Sequence, residues 1–414
     1  MDCFSLIPCS PDQPHESDVL LTQTLKRWAE TEVMAKRLEY REDLALLIKP
    51  ALHKLFVDLE MQKMIFPEEC GGIGLNKPEV AHTLALSLEQ IGRADTGIGY
   101  LFATTFALCS SFAMDYNLNE NLCKLLAPLF CQSGKSTVGA LVLPAYDSEY
   151  KPSPQTLFHG KSYPAAAKQL KDRMIIEGSN LQPLNAGCDA DLFGIFCLLE
   201  GSNEPALVVI PANSPGLSRG EPQIRTGLAA SVNCKLTLNQ VEVPETYVVF
   251  RGETGWQQLL SWFYLGVSAV TVGSLFAAFE ILREWGENRV IKGKNSLLKD
   301  NPLTASLMAE VSQELLLDRL LLHQLAGIIA SGGLEEPARA KKTSVAALSV
   351  VSQVTHSAEK AINQAMELMG SAGYATEWNL ERYWRDIKTM QLHLGSWELN
   401  KMDLARFFYG SENL

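Results

Sequence analysis

The sequence has little of the positive charge that a nucleic acid or an anionic membrane surface would require. Its 414 residues carry 36 Lys and Arg against 47 Asp and Glu, a formal net charge of −11, whereas both kinds of partner need clustered cations. An acidic balance still leaves room for a small anionic ligand, because a local basic pocket or a helix N-terminus can hold one. Metal-binding cysteine spacing is also missing. The nine cysteines (Cys3, Cys9, Cys70, Cys109, Cys123, Cys131, Cys188, Cys197, Cys234) are scattered, odd in number and free of any CxxC pair. They therefore define no zinc or iron–sulfur framework and imply reduced thiols in a cytoplasmic protein. No basic stretch precedes the short apolar start of the chain, and Pro8 and Pro11 follow it closely, which argues against a secretory signal. The longest mostly apolar run, residues 265–279, falls short of the ~20 residues that span a bilayer and reads as a buried core helix. No repeat of about 20–50 residues is visible.

What is present is ordinary core material: 47% hydrophobic and 20% charged residues. At a rough ~150 residues per domain the chain has two or three lobes. Three zones divide it. In residues 19–134 apolar side chains recur at helix spacing, as in Leu46, Leu47, Ile48, Leu52, Leu55, Phe56 and Leu59. A Gly-rich break at residues 67–74 precedes another helical stretch opened by Pro78 and Glu79. In residues 135–250 that periodicity fades and strand-like runs appear at 193–199, 206–210 and 235–238. Leu236 and Leu238 share a face while Val241 and Val243 follow one residue out of phase, which predicts a bulge near Asn239. From 251 to 414 the chain is helical again, with long segments at 256–289, 302–331 and 338–369; Gly332-Gly333 and Gly370 stop the last two. Helices, a small β-domain and then long helices make an α+β fold with a bundle.

Several short motifs then point one way. Pro67-Glu68-Glu69-Cys70-Gly71-Gly72-Ile73-Gly74 resembles the turn between the first helices of acyl-CoA dehydrogenases. Leu88-Glu89-Gln90-Ile91-Gly92-Arg93-Ala94-Asp95 is similar to a helix end of that family, and Val241-Glu242-Val243-Pro244 to the close of its β-domain. Gly370-Ser371-Ala372-Gly373-Tyr374 and Glu381-Arg382-Tyr383-Trp384-Arg385-Asp386-Ile387-Lys388 resemble its C-terminal signature. Each is weak alone; in order, over residues 30–405, they resemble the acyl-CoA dehydrogenase superfamily strongly. The resemblance implies an N-terminal helical domain, a barrel- or sandwich-like middle β-domain, a C-terminal four-helix bundle and an oligomer. It also implies an acyl-CoA thioester between β-domain and helices, an FAD partly shared across a subunit interface, and a glutamate that removes the α-proton.

Set against that pattern, the site residues diverge. The position of the family's glutamate falls on Leu394, and a leucine cannot accept a proton. The family's alternative location falls near Phe263 or Tyr264, with no Glu or Asp between Gly255 and Phe279. The stretch Val142-Leu143-Pro144-Ala145-Tyr146-Asp147-Ser148 keeps only the Pro and Ser of the flavin-side turn. Gln182-Pro183-Leu184 replaces the Trp-Ile-Thr that covers the flavin and reaches its N5 edge. Arg289 matches a diphosphate-binding Arg, but Lys292 stands for the Phe beside it. Glu367 replaces a Gln, setting a negative charge where a diphosphate would lie. His393, neighbour of the lost base, and Tyr264 are the candidate catalytic residues; His393 as an acid–base group competes with a reading as polar filler. Tyr146, Ser148 and Tyr374 are candidate substrate contacts, Arg289 a residual cofactor contact, and no metal is expected. An aromatic on a helix is more often core, and Tyr374 also reads as part of a turn. Arg385 and Asp386 are expected to pair. The basic run Ala338-Arg339-Ala340-Lys341-Lys342 at a helix start is unfavourable to the dipole unless an anion offsets it.

The expectation is therefore an acyl-CoA-binding relative of these enzymes that cannot perform flavin-linked dehydrogenation alone. It would serve as the divergent subunit of a heteromeric acyl-CoA dehydrogenase, with no cofactor in this chain by itself or an FAD at a shared interface. The rivals are flavin-independent chemistry at the α and β carbons (hydration, dehydration or decarboxylation) and an ordinary FAD enzyme. Partners are an acyl-CoA ligand and a homo- or hetero-oligomer, through apolar stripes such as Met308, Val311 and Leu315, with no nucleic acid and no membrane insertion.

Overall fold

The computed structural model describes residues 16–40, 43–146, 161–202, 204–393 and 395–409. The N-terminal zone contributes helices α1 (Glu16–Trp28), α2 (Leu44–His53), α3 (Val80–Ala94), α4 (Thr96–Ala113) and α5 (Glu120–Cys131). The stripe read from the sequence builds α2 and the π-turn after it: Leu47, Ile48, Leu55 and Phe56 are buried, and Leu46 points to solvent. The Gly-rich break is a tight turn in which a Cβ on Gly72 would fall 1.9 Å from the Phe66 carbonyl oxygen. No side chain fits there. Asp95 ends α3 and caps α4, its carboxylate accepting the Ile98 N–H at 3.0 Å. All 18 residues of α4 are buried.

Ten strands follow: β1 (Gly139–Val142), β2 (Ala145–Tyr146), β3 (Lys161–Ser162), β4 (Ala165–Leu170), β5 (Arg173–Leu181), β6 (Leu192–Leu199), β7 (Pro205–Pro211), β8 (Leu217–Arg219), β9 (Leu236–Pro244) and β10 (Val248–Arg251). Eight form one mixed sheet in the order β10-β7-β6-β4-β5-β9-β8, with β1 parallel to the first half of β6; β2 and β3 pair separately. The expected bulge is present. Ile176 pairs with Val241 and Gly178 with Leu238, so Glu177 opposes both Asn239 and Gln240, and Gln240 takes a φ of 51°. That extra residue lets Leu236, Leu238, Val241 and Val243 all turn inward.

The C-terminal zone holds α6 (Glu253–Asn288), α7 (Pro302–Ala330), α8 (Pro337–Met369), α9 (Leu380–His393) and α10 (Ser396–Tyr409). The first four pack on one another as the expected bundle, and α10 lies on α8 and α9. The 36-residue α6 is the centre of the molecule, touching α3 and α4 as well as α7, α8 and α9. Its crossing with α3 is close: a Cβ on Gly273 would lie 2.0 Å from the Glu89 carbonyl oxygen, and one on Gly92 would lie 2.4 Å from that of Val270. The apolar run 265–279 is thus the buried middle of the long helix read at 256–289. Both α4 and α6 are long and apolar enough to cross a bilayer, but their apolar windows are 100% and 83% buried inside the fold.

Buried ion pairs tie these helices together. Glu89 of α3 receives Arg319 Nε at 2.9 Å and His323 Nε2 at 3.1 Å from α7. Burial raises the Glu89 carboxyl, but Arg319 and His323 outweigh it and hold the group down at about 2. Arg93 pairs with Glu280 at 2.7 Å. Two expectations fail here. Arg385 pairs with Glu381 (3.2 Å), not with Asp386, since Asp386 points inward to the Leu228 N–H and Arg382. The stripe Met308, Val311 and Leu315 faces the core, with the last two fully buried; the exposed leucines of α7 are Leu303, Leu317, Leu320 and Leu321.

Candidate functional site

A cavity of about 710 Å³ opens where the sheet meets the C-terminal helices. One wall is the turn Leu143-Pro144 after β1 together with Gln182-Pro183-Leu184 after β5. The floor is the first three turns of α6, contributing Trp256, Leu260, Phe263 and Tyr264. The start of α8 supplies Lys341, Ser344, Val345 and Leu348, and the junction of α9 and α10 closes the remaining side through Leu392, Gly395, Leu399, Asp403, Arg406 and Phe407. The two segments that the sequence comparison marked as replacing flavin contacts thus share one cavity with Tyr264.

The floor is aromatic because α6 turns that face toward the sheet. Trp256 packs on Phe196 of β6 at 4.2 Å between ring centroids, and Phe263 lies between Tyr264 (5.8 Å) and Tyr100 (6.1 Å). Tyr264 is 8% exposed. The wall is held from behind. Arg225 donates from Nη1 to the Leu184 carbonyl at 3.1 Å, and Asn233 Nδ2 donates to the Pro183 carbonyl at 2.9 Å. Burial lowers the Arg225 pKa, and Tyr100, whose hydroxyl is pushed well above its ordinary range by burial, lies close enough to interact with it. Gln182 is exposed, its side-chain amide donating to Gln223 at 2.9 Å.

Charge collects at the rim. Lys341 is exposed with its Nζ 6.0 Å from the Phe407 ring centroid, so at least one cation of the basic run does face the cavity. Arg406 is paired with Asp403 at 2.9 Å. Glu253, at the first position of α6, is the other carboxylate of the lining. It lies just outside the stretch 255–279 in which the sequence reading sought a base, and so was missed. Arg225 was missed too, because nothing in its local sequence marks a cation that folds behind a wall 41 residues earlier.

The other candidates are placed as follows. His393 ends α9 between two cavity-lining residues, Leu392 and Gly395; its side chain lies outside the described residues, as do Leu394, Ser148 and the side chain of Tyr146. The backbone of Tyr146 is in β2, two residues past the lining Pro144. Tyr374 is in the turn after α8, 58% exposed and away from the cavity lining. Arg289 caps the far end of α6, exposed, with its guanidinium 5.2 Å from the Trp285 ring centroid. Glu367, near the end of α8, is exposed and accepts from Asn363 at 3.2 Å. Among the described residues no group of three or more His, Cys, Asp or Glu is arranged to hold a metal.

Known proteins of similar sequence share this layout. Residues 15–129 match the family described as "Acyl-CoA dehydrogenase, N-terminal domain" and residues 253–409 match "Acyl-CoA dehydrogenase, C-terminal domain". The mitochondrial short-chain specific acyl-CoA dehydrogenase of Mus musculus is 24% identical over 398 residues, covering 94% of this chain and 89% of its own. The cyclohex-1-ene-1-carbonyl-CoA dehydrogenase of Geobacter metallireducens is also 24% identical, over 94% of this chain and 97% of its own. Among solved structures, butyryl-CoA dehydrogenase from Megasphaera elsdenii has the same fold, with a TM-score of 0.78 at 20% identity over 97% of this chain and all of that one. With the matched domains lying on either side of the sheet, and similarity running nearly end to end, this chain belongs to the acyl-CoA dehydrogenase superfamily.

Proposed function

We propose that the chain binds an acyl-CoA thioester in the cavity between sheet and bundle, and that it does not carry out flavin-linked α,β-dehydrogenation by itself. The observation that carries this reading is the make-up of the floor. At the height in α6 where some relatives carry their base, the cavity presents Leu260, Phe263 and Tyr264, none of which can take up an α-proton as a carboxylate does. The lining suits an acyl chain, and Lys341 at the rim suits the anionic end of a CoA ester.

The side chains do not fit an FAD held by this chain alone in the family manner. The wall offers an exposed amide, a proline and a buried leucine in place of an indole and a hydroxyl. At the distal end Glu367 brings negative charge toward a diphosphate. This supports a role as one subunit of a heteromeric acyl-CoA dehydrogenase in which an intact partner supplies base and flavin. An assembly surface is available on α7, where Leu317, Leu320 and Leu321 are 46%, 46% and 37% exposed within one turn of each other.

A flavin-independent reaction at the same carbons is the second reading. It is favoured by the convergence of Tyr264, Glu253 and the backbone on either side of His393 on one cavity. The decisive measurement is the absorption spectrum of the desalted chain near the flavin bands, followed by exchange of acyl-CoA α-protons in deuterated water. We expect a colourless protein that binds CoA esters and exchanges no protons until a partner is added. Stoichiometric flavin refutes the proposal. Exchange by the isolated chain that His393→Ala or Tyr264→Phe abolishes replaces it with the second reading.

A further inference from the structure

Behind the cavity wall, the turn that follows β5 is fastened to the segment that leads into β9. The Cys188 N–H donates to the Val232 carbonyl at 3.1 Å, and the Gly187 N–H donates to the Asn233 side-chain oxygen at 2.8 Å. From the other side, Arg219 donates from Nε to the Gly187 carbonyl at 2.9 Å and from Nη2 to that of Ala190 at 2.6 Å. The two segments run so close that a Cβ on Gly187 would lie 2.8 Å from the Cys234 backbone nitrogen. Two free thiols meet at this seam. Cys234 is fully buried and Cys188 half-buried, and the Cys188 side chain is near enough to help raise the Cys234 thiol. A disulfide needs Cβ atoms roughly 3.5–4.5 Å apart, and the hydrogen bonds and close approach that join the two backbones bring residues 188 and 234 into that neighbourhood. Other buried cysteines differ. Cys123 donates its S–H to the Phe112 carbonyl at 3.3 Å and Cys197 donates to that of Ala206 at 3.6 Å.

We propose that Cys188 and Cys234 form a peroxide-reactive pair that closes to a disulfide and locks the cavity wall onto the segment leading into β9. The Cys188 thiolate, the one solvent reaches, attacks an oxygen of hydrogen peroxide. The S–O bond forms, the O–O bond breaks, and the hydroxide released takes up a proton to leave as water. The Cys234 sulfur then attacks the sulfenic sulfur; the S–S bond forms, the S–O bond breaks, and the departing hydroxide leaves as a second water with the proton of Cys234. Two thiols and one peroxide thus give one disulfide and two waters, the thiols losing the two electrons that the peroxide gains. Burial, reinforced by the neighbouring thiol, pushes Cys234 up to about 11, which suits the resolving thiol and not the attacking one. The product fixes Pro183 and Leu184, the wall residues that Asn233 and Arg225 already hold.

The test uses the full reduced chain and hydrogen peroxide in small excess, with peptide mapping after alkylation. Wild type should yield a peptide linking Cys188 to Cys234, two hydrogens lighter than the pair and released by dithiothreitol. Cys188→Ser, a near-isosteric change at a half-exposed position, should yield none. Wild-type peptides alkylated separately, or Cys188 driven to sulfinic acid beside a free Cys234, would overturn the pairing. Hydrogen exchange reads the second half of the proposal: amides of residues 182–190 should exchange at least about tenfold more slowly once oxidised. Unchanged exchange in a protein that carries the disulfide would refute the locking.

Discussion

Asp318 gives the sharpest quantitative test of the packing between α7 and α8. Its carboxyl is 1% exposed, and the Ser357 hydroxyl lies 2.6 Å from both of its oxygens. Burial pushes the group from 3.8 up to about 8, with the Ser357 hydrogen bond opposing that and Glu314 adding to it. The sign follows from proton counting. Below the unfolded value both states hold the proton; above it the unfolded chain releases a proton that the folded chain keeps, so stability falls as pH rises toward about 8. About four units at about 1.4 kcal/mol each set a ceiling of ~6 kcal/mol. Relaxation of the surrounding helices should leave a net penalty of about 2 kcal/mol at the upper end. Asp318→Asn removes the titration while keeping an oxygen for Ser357 to donate to. Melting curves of both proteins should coincide near about pH 4 and separate steadily up to about pH 8, with the Asn variant higher by on the order of 2–4 °C. A difference that does not change with pH, or an Asn variant that melts lower at the alkaline end, would refute the assignment of a neutral Asp318.

Glu89→Gln leaves the buried Arg319 guanidinium short of a counter-charge and weakens the contact with His323, and should cost about 3–5 kcal/mol, read as a lowered Tm or loss of soluble protein. In the wild type the Glu89 carboxylate adds stability above its ordinary value of 4.5, and that contribution should fade as acid takes the pH down toward about 2. Gly273→Ala puts a Cβ 2.0 Å from a backbone oxygen on α3 and should destabilise by about 2–4 kcal/mol, whereas Gly327→Ala on α7 meets only the His82 ring, at 3.9 Å, and serves as the control. Leu317→Glu with Leu320→Glu should lower the mass seen by light scattering without lowering helix content; an unchanged mass would remove α7 as the assembly surface.

The architecture was largely legible because its signals are local. The segments 302–331 and 338–369 match α7 and α8 to within a residue, since Pro marks their starts and Gly their stops. The bulge near Asn239 could be read from a one-residue change in the phase of Leu and Val. Strands β4, β5 and β8 escaped, because their burial patterns are broken by Lys, Gln, Glu and Arg on an open face. The cavity was legible only through motif order. Leu143, Pro144 and Gln182 carry no chemistry that singles them out, and Arg225 becomes meaningful only when folding sets it against the Leu184 carbonyl. The partner of Asp386 was misread for a related reason. On a helix adjacent residues face apart, so Arg385 could not turn to it, and Arg382, four residues earlier, could.

The position of α6 has a consequence for how the protein is made. Helices α3 and α4 leave the ribosome about 160 residues ahead of the helix that covers them. Until residue 288 has emerged, the faces of α3 and α4 cut to fit α6, with Leu88, Gly92, Gly99 and Ala103, lack their cover. The sheet, synthesised in between, can satisfy its own strand hydrogen bonds, but the N-terminal helices must wait with their apolar surface open. A chain ending near residue 250 should therefore aggregate or remain chaperone-bound, although it contains two of the three zones read from the sequence. In the order of synthesis, the first and last thirds of the chain form a single folding unit, and the sheet is a long insertion within it.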